Sequence, residues 1–218
     1  VPLYRLRADY QIDKSRSETG LSSVKQCLML AAGLSSRMGQ WKMLLPWGDG
    51  GCVLDSALDN ALAFCERVVL VTGFRGETLR QRYAARPGVV LCHNPDYVQG
   101  MFSSLRCGAR ALTPGHHFFM VPGDMPAIHP GIYAALWRHR GNMSLVPFCN
   151  GGRGHPVLLP PVLREHILNA GPQDILRQLM ERQGRKTLLV DSHTIHQDLD
   201  TPSQYREAYE RLTPGRTF

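Results

Sequence analysis

The sequence predicts an α/β protein, a three-layer α/β/α sandwich built on a mostly parallel, Rossmann-like sheet. Three observations predict it. Apolar runs of strand length alternate with stretches of helical periodicity through residues 27–139, the pattern of parallel strands joined by crossover helices. The first run stops at Gly33 in a small basic loop, and the fourth stops at Asp124 on a tight turn. Open sheets of this kind bind ligands at the carboxyl ends of their strands, where both residues fall. The chain, 218 residues with 43% hydrophobic and 20% charged side chains, is also large enough for one α/β domain with a real core.

The elements follow in order. Residues 27–32 form a continuous apolar run, read as a buried strand. A loop leads to Pro46, with a turn at residues 48–51. Residues 53–64 read as a helix, because Val53, Leu54, Ala57, Leu58, Ala61 and Leu62 recur on one side. A strand at 68–72 ends at Gly73, a helix covers 77–84, and a third strand covers 89–92. A helix at 102–112 leads to a strand at 118–121, and a helix follows at 132–139. The second half is less regular. Strands are expected at 144–147 and 156–159 around a glycine-rich turn, helices at 162–170 and 174–182, and a strand at 187–190. The final helix runs 203–212, with Thr201 as N-cap and Pro202 at its first position. Residues 1–23 are polar and charged without periodicity and are expected to be a tail; residues 24–218 are expected to be one domain.

Composition excludes several classes. No apolar run approaches a membrane span, and residues 1–23 lack a signal-peptide core, so a cytoplasmic protein without membrane contact is expected. The six cysteines form no Cys-x-x-Cys and no zinc spacing, which suits core residues in a reducing compartment. The net charge of +7 invites a nucleic-acid reading. The arginines are dispersed, however, without a basic helix or interleaved aromatics, and a basic enzyme that gathers small polyanions accounts for the charge equally well.

The stretch from Leu28 to Trp47 carries the first chemistry. A strand feeds a loop in which Gly33 and Gly39 permit close backbone approach to an anion, Ser35 and Ser36 supply hydroxyls, and Arg37 and Lys42 supply charge. The spacing matches neither the P-loop nor the dinucleotide fingerprint. The plain alternative is a strand-to-helix turn with solvated charges. Pro122-Gly123-Asp124-Met125-Pro126 presents a carboxylate at the rim of the sheet, which suits a magnesium ligand or simply a turn former. Asp198-Leu199-Asp200 sets two carboxylates on one face of an extended segment, either as a second metal contact or as acidic groups before a helix. Gly100, Ser103 and Ser104 open a helix whose N–H groups could meet an anion or a base edge. Arg153-Gly154-His155-Pro156 places a histidine on a glycine-rich turn, where it could face an anion or be an ordinary surface residue.

Ala31-Ala32-Gly33-Leu-Ser35-Ser36-Arg37-Met-Gly39, a lysine three residues on, and Leu-Leu-Pro resemble the signature of nucleotidyltransferases acting on sugar phosphates and on molybdopterin. The resemblance is greatest to the molybdenum cofactor cytidylyltransferase branch and runs from about Val24 to Leu212. It implies a nucleotidyltransferase fold of the GT-A-like type. It implies transfer of CMP from CTP to molybdopterin cofactor, with pyrophosphate released and Mg²⁺ as cofactor. The alanine at Ala32, where guanylyl enzymes usually carry glycine, points to CTP. By resemblance Arg37, Lys42 and Asp124 are catalytic. Ala31, Ala32, Gly33, Ser35, Ser36, Gly100, Ser103 and Ser104 bind the nucleotide. Gly154 and His155 face the second substrate, and Asp124 and Asp200 hold the metal. A molybdenum hydroxylase apoenzyme is the implied partner. Other NTP transferases of the fold, and a carrier or insertion chaperone for the cofactor without fast chemistry, are the alternatives.

Overall fold

The computed structural model describes residues 23–171 and 173–212, so all but the last position of the expected tail lies outside the described residues. The expected alternation is present. Strands β1 (Gln26–Ala31), β4 (Arg67–Thr72), β5 (Val89–His93) and β6 (Phe118–Pro122) form the larger of two parallel stretches of the sheet. A two-stranded hairpin, β2 (Pro46–Trp47) and β3 (Gly51–Cys52), stands apart from it. The helices are α1 (Val53–Leu62), α2 (Gly76–Tyr83), α3 (Met101–Ala111) and α4 (Pro130–Arg138). The second half adds β7 (Ser144–Cys149), β8 (Gly152–Arg153), β9 (Val157–Leu159), α5 (Pro161–Asn169), α6 (Leu176–Gln183), β10 (Arg185–Leu189) and α7 (Pro202–Leu212).

The sheet order is β10-β7-β9-β6-β1-β4-β5, with β8 paired to β7. β1 pairs in parallel with β4 on one side and β6 on the other. The chain therefore winds outward from β1 through β4 to β5, then returns to start again at β6. That reversal is a topological switch point, and a crevice opens there at the carboxyl ends of β1 and β6. β9 runs antiparallel between β6 and β7, which makes the sheet mixed.

The period-2 alternation of β1 divides the core into two layers. Cys27, Met29 and Ala31 pack with Leu54, Leu58, Ile132, Tyr133 and Leu136 from α1 and α4. Leu28 and Leu30 face the other way, onto Leu105 and Ala109 of α3 and onto α5 and α6. Both faces of the strand are covered, which is why its sequence is continuously apolar.

A third, smaller cluster matters for the site. Met38, Trp47, Val53, Leu199, Tyr205 and Ala208 pack together, and the Tyr205 hydroxyl donates to the Pro46 carbonyl at 2.6 Å. This cluster fastens α7 and the segment before it to the loop after β1. The expected helix at 174–182 begins two residues late, because the Asp174 carboxylate turns back to accept the Gly171 N–H at 2.8 Å. Among the described residues no helix is long and apolar enough to cross a membrane.

Candidate active site

The loop after β1 turns on Ser35, a non-glycine residue with φ 56° and ψ 35°. Its carbonyl accepts from Met38 N, and its hydroxyl oxygen accepts from Lys42 N at 3.3 Å. Ser35 thus seats Lys42 while its own O–H remains able to donate. Gly33 is exposed, and a Cβ there would meet open space, which agrees with a loop left clear for an anion. Gly39 takes φ +69°, a backbone state that favours glycine.

Lys42 is buried, and its ammonium bridges two carboxylates. One is Asp124, on the turn after β6; the other is Asp200, whose Oδ1 lies 2.8 Å from Nζ. Arg37 adds a contact to the other oxygen of Asp200 at 2.5 Å. Lys42 and Asp200 are 158 residues apart in sequence. Gly123 N donates to the Leu30 carbonyl at 2.8 Å, which docks the Asp124 turn against the end of β1. Leu199 is fully buried, and its N–H donates to the Asp124 carbonyl at 3.2 Å. Anchoring that one apolar residue sets the flanking Asp198 and Asp200 at the cleft. Thr201 and Gln204 then form a capping box at the start of α7. Thr201 Oγ1 accepts from Gln204 N at 3.3 Å, while Gln204 Oε1 accepts from Thr201 N at 2.9 Å and from Asp200 N at 3.1 Å.

The electrostatics follow from this packing. Burial acts to lower the pKa of Lys42, but the Asp124 charge and hydrogen bonds to both carboxylates outweigh it and raise it. Burial acts to raise Asp200, yet Lys42 and Arg37 hold it below the ordinary carboxylate value. Asp198 is pushed up, by burial first and then by the like charges of Asp200 and Asp124. Arg37 differs from Lys42 in exposure, 72% against 11% for the side chains. An exposed ion pair of that kind contributes little, so Arg37 can exchange Asp200 for a phosphate at small cost.

A cleft of about 410 Å³ opens beside these groups, lined by Asp124, Asp198, Asp200, Arg153, His155 and His196, among others. Oδ1 of Asp124 is buried there without a hydrogen-bond partner among the described residues. Among those residues no set of three or more His, Cys, Asp or Glu stands ready to hold a metal. Magnesium needs fewer protein donors, since it takes one or two carboxylates and completes its shell with phosphate oxygens and water. The orphaned oxygen of Asp124, with Asp200 beside it, fits such an ion.

The other expected positions divide. His155 lines the cleft, with Nδ1 buried and without a hydrogen-bond partner among the described residues. Burial lowers its pKa, partly opposed by the charge of Asp124. Gly154 serves packing, because a Cβ there would stand 2.2 Å from the Ile195 carbonyl oxygen. Ala31 and Ala32 are buried, and their methyls lie beside Gly123 and Gly73 respectively. Ser36 is exposed on the loop beside Arg37. Gly100 is exposed with φ +102° and open space beside it, and the neighbouring Met101 lines the cleft. Ser103 and Ser104 stand in the first turn of α3. Asn94 Nδ2 donates to both hydroxyl oxygens at 2.9 Å, and Ser104 is buried. These bonds brace the loop before α3: the Ser103 O–H is spent on the Asp96 and Gly100 carbonyls, whereas Ser104 accepts and its own O–H remains able to donate. Sequence reasoning missed Asn94, His196 and Gln204. Only Gln204 had a readable signal, the Thr-x-x-Gln spacing of a capping box.

A basic loop and an acidic turn, meeting at the switch point of a doubly wound sheet, suit a protein that handles nucleoside triphosphates. Residues 27–187 match the MobA-like NTP transferase domain, and the chain belongs to that family. It is 40% identical over 192 residues to the molybdenum cofactor cytidylyltransferase of Escherichia coli (strain K12), covering 88% of this chain and 98% of that one. Among solved structures it resembles a nucleotidyl transferase from Methanothermobacter thermautotroptrophicus, with TM-score 0.76 at 20% identity over 88% of this chain and 98% of that one. It also resembles Rv0371C of Mycobacterium tuberculosis H37Rv in complex with manganese, with TM-score 0.70 at 22% identity over 87% of this chain and 99% of that one.

Proposed function

We propose that the protein transfers CMP from CTP to the phosphate of molybdopterin cofactor, releasing pyrophosphate. The observation that carries this reading is the Lys42 bridge between Asp124 and Asp200 at the cleft. The 40% identity to a molybdenum cofactor cytidylyltransferase supports the choice of substrates.

An acceptor phosphate is already an anion and needs no strong general base. The protein must bring two repelling anions into line and stabilise charge on the departing pyrophosphate. The loop from Gly33 to Lys42 receives the triphosphate through its open backbone, with the Ser35 and Ser36 hydroxyls beside it. Arg37 leaves Asp200 and forks onto phosphate oxygens. Lys42, held protonated, contributes a fixed positive charge. A divalent cation, when bound at Asp124 and Asp200, supplies Lewis-acid charge to the phosphates; the manganese in the mycobacterial relative supports divalent metal use. On the acceptor side, Arg153 and His155 line the cleft where a second anion would dock. His155 stays neutral at neutral pH and offers a ring nitrogen rather than a charge.

The test is pyrophosphate release by purified protein with Mg²⁺ or Mn²⁺ and molybdopterin cofactor, with CTP, GTP, ATP and UTP offered separately. Release with CTP alone and a cytidylylated product is the expected result. Asp124→Asn should lower turnover by about 100-fold or more, the usual scale for losing a group that stabilises transition-state charge, in protein that circular dichroism shows to be folded at the assay temperature. Near-wild-type turnover in that folded variant would overturn the assignment.

A further inference from the structure

Four of the six cysteines, Cys27, Cys52, Cys65 and Cys149, are buried. The other two are only partly buried, and they touch. Cys92 ends the apolar part of β5 and Cys107 lies in the second half of α3, with their sulfurs 3.0 Å apart. Two sulfurs in ordinary contact stand further apart than this, and a disulfide closes to about 2.05 Å. Cys107 also reaches the His93 carbonyl, at 3.4 Å, and Cys92 the Cys107 carbonyl, at 3.5 Å. Each thiol is therefore held toward the same small space between the strand end and the helix. Neither side chain belongs to the machinery described above.

The geometry points to Cys92 and Cys107 as a peroxide-responsive thiol pair that closes into a disulfide joining β5 to α3. Cys107, whose sulfur also reaches the carbonyl of the exposed His93 at the strand end, is the attacking group. Its thiolate attacks one peroxide oxygen. The S–O bond forms, the O–O bond breaks, and the departing oxygen leaves as water after taking a proton. Cys92 then attacks the sulfur of the resulting sulfenic acid. The S–S bond forms, the S–O bond breaks, and a second water leaves. In sum two thiols lose two electrons and two protons, and one peroxide becomes two waters. Burial and the neighbouring Cys107 raise the Cys92 pKa to about 12. That assigns Cys92 the resolving step, in which a thiol already in contact needs little intrinsic reactivity. Met101, on the first turn of the same helix, lines the cleft. The bond would tie one wall of the cleft to the edge strand of the sheet.

The proposal is independent of the nucleotidyl transfer reading and is tested without turnover. The full chain is treated with hydrogen peroxide, and its thiols are counted after denaturation. The expected count falls from six to four, the intact mass falls by about 2 Da, as expected for a single thiol-to-disulfide conversion, and dithiothreitol restores both. Trypsin cuts after Arg106, so the two cysteines leave on separate peptides unless a disulfide joins them. Mass spectrometry should find the joined pair in oxidised protein alone. In Cys92→Ser the count should fall by one, with dimedone trapping a sulfenic acid at Cys107. In Cys107→Ser, Cys92 should stay reduced under the same treatment. Six thiols that survive peroxide, a cross-link involving any of the four buried cysteines, or Cys107 running on to the sulfinic acid without a cross-link would each overturn the proposal.

Discussion

Replacing Lys42 with methionine tests the centre of the site through stability alone. The Lys42, Asp124 and Asp200 side chains are 11%, 9% and 19% exposed. Among the described residues the ammonium is the only cation paired with Asp124, whereas Asp200 also has Arg37. Lys42→Met keeps most of the buried stem volume and removes the charge, leaving two poorly solvated carboxylates on the same side of the cleft. Removing one partner of a buried ion pair costs about 3–5 kcal/mol. Arg37 and the open cleft relieve part of this, so about 3 kcal/mol is expected at neutral pH. For a chain of this length that corresponds to a fall in Tm of about 6–12 °C. The loss should depend on pH. The folded pKa of Asp200 is lowered, so its contribution is complete above the ordinary carboxylate value and is lost as pH falls through the folded value. The gap between wild type and variant should be widest near pH 7 and should narrow in acid, as Asp200 loses its charge. Urea denaturation followed by circular dichroism at neutral and acid pH measures both quantities. A variant as stable as wild type at pH 7, with an unchanged pH slope, would refute the buried bridge.

Three further outcomes are expected. Gln204→Ala removes the acceptor for the Asp200 and Thr201 N–H groups and should cost about 1 kcal/mol, as lost helix caps do; Gln204→Glu, the other capping-box residue, should restore most of it in urea titrations. Gly154→Ala forces a Cβ to within 2.2 Å of the Ile195 carbonyl oxygen and should destabilise by about 1–3 kcal/mol, read as a lower Tm, whereas an unshifted Tm would mean that the turn yields freely. Asp55 is held at about 2, because its hydrogen bonds from Arg82, Cys52 and Tyr83 overcome the opposing effect of burial. It should contribute about 2 kcal/mol that is present above pH 4 and lost toward pH 2. Asp55→Asn should flatten that part of the acid unfolding curve, and a full slope in the variant would count against the network.

The alternation of β1, α1, β4, α2, β5, α3 and β6 was legible because apolar period is a local property of the chain. So were the two strand-end loops, since glycine and proline terminate strands wherever they occur. Gly33 and Asp124 could be selected for the same reason, since each follows a strand end, and Arg37 and Lys42 are the cations of the loop that Gly33 opens. The Thr201-Pro202 helix start was legible too, and its Gln204 partner was visible in the same few residues.

What only the tertiary structure decided concerns neighbours. A period states which face a residue takes but not which element covers it. The antiparallel insertion of β9 between β6 and β7 therefore left no mark in the pattern of its three residues. Nor could sequence separate Asp198 from Asp200. The folded chain gives the two different surroundings: Leu199 between them is buried under the Asp124 turn, and Arg37 and Lys42 reach Asp200. Nor does any local pattern show that Asn94 donates to the Ser104 hydroxyl, or that Ile195 packs against Gly154. The sequence determined the kinds of chemistry present and the strand ends that carry them. The meeting of Lys42 with Asp200, across 158 residues, belongs to the packing of α7 onto the loop after β1, a long-range contact that no local pattern encodes.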